Sequence, residues 1–99
     1  MNERIRIGSF QGPIVDNDFE CNLNKVKEVL NQTRGNSLDF LCFPEVYLSG
    51  YSEQAIRESS VLITDARLLE FIRFSTAFDT VILVGMSERE GDKIFNTQI

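Results

Sequence analysis

Leu38-Asp39-Phe40-Leu41-Cys42-Phe43 is apolar at every position but one, and the stretch shows no alternation. A strand with one wet face alternates apolar and polar side chains, whereas a strand covered on both faces, as in parallel sheets, need not. Asp39–Phe43 is therefore expected to be a buried strand of a parallel sheet. Pro44 ends it, because proline lacks the N–H that a ladder needs and stiffens the exit. Glu45 follows at once, which puts a carboxylate at the carboxyl end of that strand, where open α/β sheets bind their ligands. On spacing alone Glu45 is a candidate catalytic group. The competing assignment is a solvated or helix-capping glutamate in a loop.

The residues before the strand complete a unit. Arg4–Phe10 alternates, with Ile5 and Ile7 on one side and Arg4 and Arg6 on the other, and reads as a first strand. Gln11-Gly12-Pro13 breaks it. Asp16, Asn17 and Asp18 offer helix caps, and Glu20 suits the positive end of a helix dipole. Phe19, Leu23, Val26, Val29 and Leu30 then make one stripe opposite Asn24, Lys25, Lys27 and Glu28. The spacing predicts a helix from about Asp18 to Arg34, stopped by Gly35 at the C′ position. Strand, helix and strand in this order make a βαβ unit with a right-handed crossover.

Further along, Val46–Ser52 reads as a loop with a Gly50–Tyr51 turn, and Glu53–Glu58 as a short helix. Thr64 is the expected N-cap of a second long helix, Asp65 to about Phe78, burying Leu68, Leu69, Ile72 and Phe71 or Ala77. Thr80–Met86 is another saturated apolar strand. Ser87–Asp92 is expected to be a polar turn, and Lys93–Ile99 a strand folded back as a hairpin. Two substantial helices do not cover both faces of such strands, so the sheet is expected to be incomplete. Ninety-nine residues amount to one small domain or part of a larger one.

Composition excludes several classes of function. A net charge of −5 without a basic stripe disfavours nucleic-acid binding. The chain has no histidine, which removes Ser-His-Asp and Cys-His relays and the commonest metal ligand. Cys21 and Cys42 are too few for a disulfide framework and too far apart for a structural zinc site. Cys42, inside the apolar run, is expected to behave as a small core hydrophobe. Met1-Asn2-Glu3-Arg4 leads into no signal-peptide core, and no stretch approaches the roughly 18 apolar residues a membrane span requires. A cytoplasmic location without a membrane partner is the expectation. Phe71, Phe74 and Phe78 read as core and interface, Gly50 and Gly85 as backbone-geometry positions, and Asn96 as fixing the hairpin. Gln11-Gly12-Pro13 carries no Gly-rich phosphate fingerprint, which argues against a free-standing flavodoxin-like ligand-binding domain.

The motifs in their order resemble the nitrilase superfamily of carbon–nitrogen hydrolases. A first strand ends in Phe10-Gln11, and Asp18 and Asn22-Leu23 open the first helix. DFLCFPEVYLSGY, residues 39–51, is similar to the family's buried strand, acidic motif and Gly-Tyr turn. VILVGMSEREGDKIFNTQI, residues 81–99, is similar to its next hairpin, with Gly85, Glu88-Arg89, Gly91 and Asn96 in order. The resemblance implies an α/β fold, the N-terminal third of a four-layer α-β-β-α sandwich. Residues 1–99 then form a single partial carbon-nitrogen hydrolase domain whose C-terminal part is missing.

The chemistry the resemblance implies is hydrolysis of amides, nitriles or N-carbamoyl compounds by a Cys-Glu-Lys triad, without cofactor or metal. A thiol needs a base beside it at neutral pH, and the developing oxyanion needs positioned donors or a cation. Only Glu45 carries over, as the base. Lys25, Lys27 and Lys93 lack the family's lysine context, Cys21 falls in a helix, and Cys42 stands where the family keeps a core hydrophobe. Tyr51 either shapes the substrate pocket or packs the turn. The chain alone is thus expected to be inactive, its parent acting on a small molecule and forming homo-oligomers. The rival expectation is a truncated, non-catalytic α/β module used in self-association or partner binding.

Overall fold

Parallel strands at the amino end and a hairpin at the other frame the computed structural model, which describes residues 4–99. The expectation concerning the Met1–Glu3 start falls outside those residues. In chain order come β1 (Ile7–Ser9), α1 (Phe19–Thr33), β2 (Phe40–Cys42), α2 (Glu53–Glu58), α3 (Ala66–Ser75), β3 (Val81–Leu83), β4 (Gly85–Glu90) and β5 (Lys93–Gln98). β1, β2 and β3 form a parallel sheet in that order, with Ile7, Phe40 and Val81 in one row, Gly8, Leu41 and Ile82 in the next. β4 and β5 pair antiparallel, Gly85 against Gln98 through Glu90 against Lys93. The predicted α/β class, the parallel β1–α1–β2 unit and the hairpin are all present.

Local chemistry accounts for the helix ends. The Asp18 carboxylate accepts from the Cys21 amide at 3.0 Å and caps α1. Ser52 caps α2 in the same way through the Ala55 amide. The expected Thr64 cap is displaced by one residue: Asp65 accepts from the Arg67 amide and starts α3, a carboxylate being the stronger N-terminal partner. The Asp65 carboxyl is held below its ordinary value, chiefly by the Arg67 side chain. Gly35 is not the stop of α1. It lies in a 3₁₀ turn, Arg34–Asn36, and the left-handed residue is Ser37 at φ +54°.

The sheet has one covered and one open face. Leu41, Phe43 and Val84 join Phe19, Leu23, Val26 and Leu30 of α1 and Leu68 and Phe71 of α3 in one core. The opposite rows hold Ile7, Phe40 and Val81, then Ser9, Cys42 and Leu83, and none of these six is fully buried. Ile5 and Ile7 do lie together, but on this open face, with Ile7 66% exposed. Cys42 is accordingly half-buried beside the core rather than part of it. α3 buries Leu68 and Phe71 alone of its predicted face. Leu69, Ile72 and Ala77 are exposed, because a ten-residue helix meets the core along a narrow strip.

Thr80–Met86 is not one strand. At Val84 the chain changes partner: Leu83 still accepts from the Phe43 amide of the parallel sheet, while Val84 and Ile99 exchange two bonds of 2.9 Å. Nor is Ser87–Asp92 a polar turn. β4 runs through to Glu90, the turn is Gly91-Asp92 with Gly91 at φ +61°, and Ser87 is buried. A glycine first in a two-residue connection gives the twist a hairpin needs. Among the described residues no helix is long and apolar enough to cross a membrane.

Candidate active site

Glu45 stands where the parallel sheet hands over to a series of tight turns. The last rung of β2 is the Phe43 amide on Leu83, and the Pro44 carbonyl then accepts from Tyr47 at 3.2 Å. The Val46 carbonyl accepts from Ser49 at 3.1 Å and from Gly50 at 3.0 Å. This folding holds Val46 at φ +47°, a region that β-branched residues avoid. Strain of this kind persists only where the surroundings over-determine the backbone, and it gathers at functional sites. The surroundings here are identifiable. A Cβ on Gly85 would lie 2.5 Å from the Val46 nitrogen and 3.0 Å from the Glu45 Cα and carbonyl carbon. The start of β4 therefore presses directly on the Glu45–Val46 peptide, and the Leu48 amide bonds the Gly85 carbonyl at 3.1 Å.

Beneath Glu45 the loop is solid. Tyr47, Leu48 and Ser49 are buried, so the segment expected to be a loop is a packed plug. Phe10 stacks on Phe43, and both rings pack on Tyr47, with centroids 5.2–5.5 Å apart. Burial pushes the Tyr47 phenol above its ordinary value, and its hydroxyl donates to the Pro13 carbonyl. The Asn22 side chain, 1% exposed, ties α1 to the plug: Nδ2 donates to the Val15 carbonyl at 2.8 Å and the Leu48 carbonyl at 3.2 Å, while Oδ1 accepts from the Val15 amide at 3.0 Å. Ser87 of β4 donates its amide to the Ser49 hydroxyl at 2.9 Å, and its own hydroxyl lies 3.0 Å from the Ile56 carbonyl. Asp16 accepts from the Tyr51 and Ser52 amides and the Ser52 hydroxyl, which holds its carboxyl below the ordinary range. Gly50, at φ +110°, has no room for a side chain beside that carboxylate.

The Glu45 side chain itself is exposed, at the rim of a hollow of about 420 Å³ whose wall includes Val46, Ile56, Ser87, Ile94, Phe95 and Asn96. Asn96 of β5 donates its side-chain amide to Glu45 Oε1. The backbone of Asn96 stays in the hairpin ladder opposite Ser87, while its side chain reaches across to Glu45 instead of fixing the hairpin. An asparagine inside the strand-forming run Ile94-Phe95-Asn96-Thr97 was the available signal, since strands are poor in asparagine unless it has a partner. No comparable signal marks the left-handed Val46.

Tyr51, half-exposed, lines a different and larger hollow of about 840 Å³ with Arg57, Arg89 and Asp92. The two hollows share Ile56 and Ile94, so they adjoin. Cys21 is exposed on α1, and among the described residues no cysteine or lysine lines the Glu45 hollow. Among the described residues no three His, Cys, Asp or Glu side chains gather in a way that holds a metal ion.

A profile of the carbon-nitrogen hydrolases matches residues 6–99, which takes in both hollows and every strand. The chain belongs to the carbon-nitrogen hydrolase family. No curated protein matches it. Among solved structures, this carbon-nitrogen hydrolase chain is similar to a CN-hydrolase superfamily protein from Xanthomonas campestris that carries an arsenic adduct in its active site, with a TM-score of 0.78 and 25% identity. That likeness covers 95% of the present chain and 35% of the other. Glutamine-dependent NAD+ synthetases share the fold at 21% identity. One, from Acinetobacter baumannii in complex with ADP, gives a TM-score of 0.72, and one from Cytophaga hutchinsonii gives 0.66. Each covers 95% of this chain, which spans 18% and 16% of theirs.

Proposed function

We propose that the chain contributes the general base of a hydrolase that cleaves non-peptide C–N bonds, and that Glu45 is that base. One observation carries the reading. The carboxylate sits at the end of a parallel strand, on a backbone strained at Val46 and wedged against Gly85, at the rim of a hollow. In the Cys-Glu-Lys scheme Glu45 takes the proton of a thiol as sulfur adds to the amide, nitrile or carbamoyl carbon. With an amide or N-carbamoyl substrate the proton passes to the leaving nitrogen, ammonia or amine departs, and a thioester or its thiocarbamate counterpart remains. A nitrile first gives a thioimidate, which takes up one water before ammonia departs and the thioester remains. Glu45 then takes a proton from water as it attacks the thioester, which releases the acid and the thiol. The thiol and the lysine are supplied from outside these 99 residues, whose own cysteines and lysines do not line the hollow. Residues 1–99 then act as one partial catalytic unit, inactive in isolation, and Tyr51 borders the approach to the site. The test is Glu45→Gln in the full-length gene product, with ammonia release from small amides and N-carbamoyl compounds. Turnover should fall by about 10²-fold or more, as for loss of a general base, with the melting temperature unchanged. Undiminished turnover refutes the assignment.

A second reading has its own support in the open sheet face, where Ile5, Ile7 and Val81 are each more than half exposed. Apolar faces of this kind pair with other surfaces, so the 99-residue chain by itself associates with a second copy. Light scattering on size-exclusion peaks distinguishes the outcomes: dimers or larger species support this reading, and a monomer at high micromolar concentration removes it.

A further inference from the structure

We infer that Asn96 is a positioning residue for the Glu45 carboxylate, so that the β4–β5 hairpin clamps the candidate base at two points. The inference rests on the reading of Glu45 as the base and goes beyond it. The first point is the backbone: Gly85, at the start of β4, touches the Glu45–Val46 peptide with no room for a methyl group. The second is the side chain. Asn96 pairs with Ser87 in the hairpin register, and its amide donates to Oε1. Ser87 is in turn bonded to Ser49 and lies against the Ile56 carbonyl, so the rung that carries Asn96 is tied to the buried plug beneath Glu45.

The chemistry of this donor fits the task. A primary amide does not titrate, so it donates to a carboxylate oxygen at any working pH. With Oε1 occupied, Oε2 is the oxygen left to take a proton, and the carboxyl plane is fixed about its own torsion. A base within about 3 Å of its proton works only in that orientation, and misplacement by about 1 Å costs on the order of 10²-fold in rate. Both side chains are exposed, so the bond adds little to folding stability, and the hairpin is held by its own ladder.

Two substitutions in the full-length gene product separate this role from a structural one. Asn96→Ala removes the donor, and Asn96→Asp keeps the shape but places a second carboxylate against the first. For Asn96→Ala, kcat should fall about 10- to 100-fold with KM within about twofold and the melting temperature within about 2 °C. For Asn96→Asp, the acid limb of the kcat/KM profile should move to higher pH, because a like charge disfavours ionisation of the base. A structural role would lower stability and leave the limb in place. A kcat for Asn96→Ala within twofold of the parent overturns the inference, as does an unshifted acid limb for Asn96→Asp. Glu45→Gln, run in parallel, keeps the two claims apart. If it is inactive while both Asn96 variants behave as the parent, only the positioning role falls; if it is fully active, the base assignment falls first. A readout free of turnover is the Asn96 side-chain amide in a nuclear magnetic resonance spectrum. One of its protons should resonate downfield and exchange slowly, and Glu45→Ala should abolish both properties; identical spectra overturn the clamp.

Discussion

Gly85→Ala probes the junction on which the site depends. An alanine Cβ there would lie 2.5 Å from the Val46 nitrogen, whereas ordinary contacts begin at 3.4 Å. About 0.9 Å of movement is therefore needed, and no flexible side chain is available to yield, because the atoms met are the Glu45 and Val46 backbone. Overpacking of a rigid site costs about 1–3 kcal/mol. For a domain of this size each kcal/mol lowers the melting temperature by about 4–8 °C, so a fall of roughly 5–20 °C is expected. The movement falls on the residue proposed as the base, so turnover by the full-length protein should drop by about 10²-fold even at temperatures where it stays folded. Circular dichroism melting and a steady-state assay measure the two effects. Gly35→Ala is the control: its Cβ meets nothing within 4 Å, and the backbone there is not left-handed, so stability should rise by about 0.4–1 kcal/mol. If Gly85→Ala melts and turns over like the parent, the wedge against Glu45 does not exist as described.

Asn22→Ala should destabilise by about 1–3 kcal/mol, since it leaves the buried Leu48 carbonyl without this donor and frees the part-buried Val15 amide and carbonyl; urea unfolding checks this. Asp18→Ala removes the α1 cap and should cost about 0.5–2 kcal/mol in the same assay. Asp16 has its carboxyl lowered, first by the Ser52 hydroxyl. Its contribution is thus full above the unfolded value of 3.8 and fades as pH falls through the lower folded value. The melting difference between the parent and Asp16→Asn should accordingly be largest near neutrality and shrink below about pH 4. Ile7→Lys places a charge on the open face, so it should suppress any self-association of the 99-residue chain with little loss of monomer stability, read by light scattering.

Much of the architecture was legible because it is local. Phe19, Leu23, Val26 and Leu30 recur at helical spacing, and an aspartate stands at the start of that stripe; no distant residue is needed to make α1. The unalternating run before Pro44 identified β2 and placed Glu45 at its exit. Where local signals were evenly matched, reading failed. Thr64 and Asp65 are both good caps, and the carboxylate prevailed. Thr80–Met86 is equally apolar on either side of Val84, so nothing in those residues reveals that Leu83 pairs with β2 while Val84 pairs with Ile99. Ser87 looked like a turn residue because serine is common there; its buried partner Ser49 lies 38 positions away.

The amino-acid order by itself determined the class of fold, the place of the acidic residue after a parallel strand, and that these 99 residues supply no histidine. Those follow from periodicity, proline geometry and composition, each of which acts within a few residues. Tertiary structure alone decided that Asn96 reaches Glu45, that Gly85 leaves no space above Val46, and that one sheet face is covered while the other stays open. These are meetings of segments some 40 to 50 positions apart. Which of many polar or small residues meet at such distances is set by the packing of whole elements, on which the local pattern is silent.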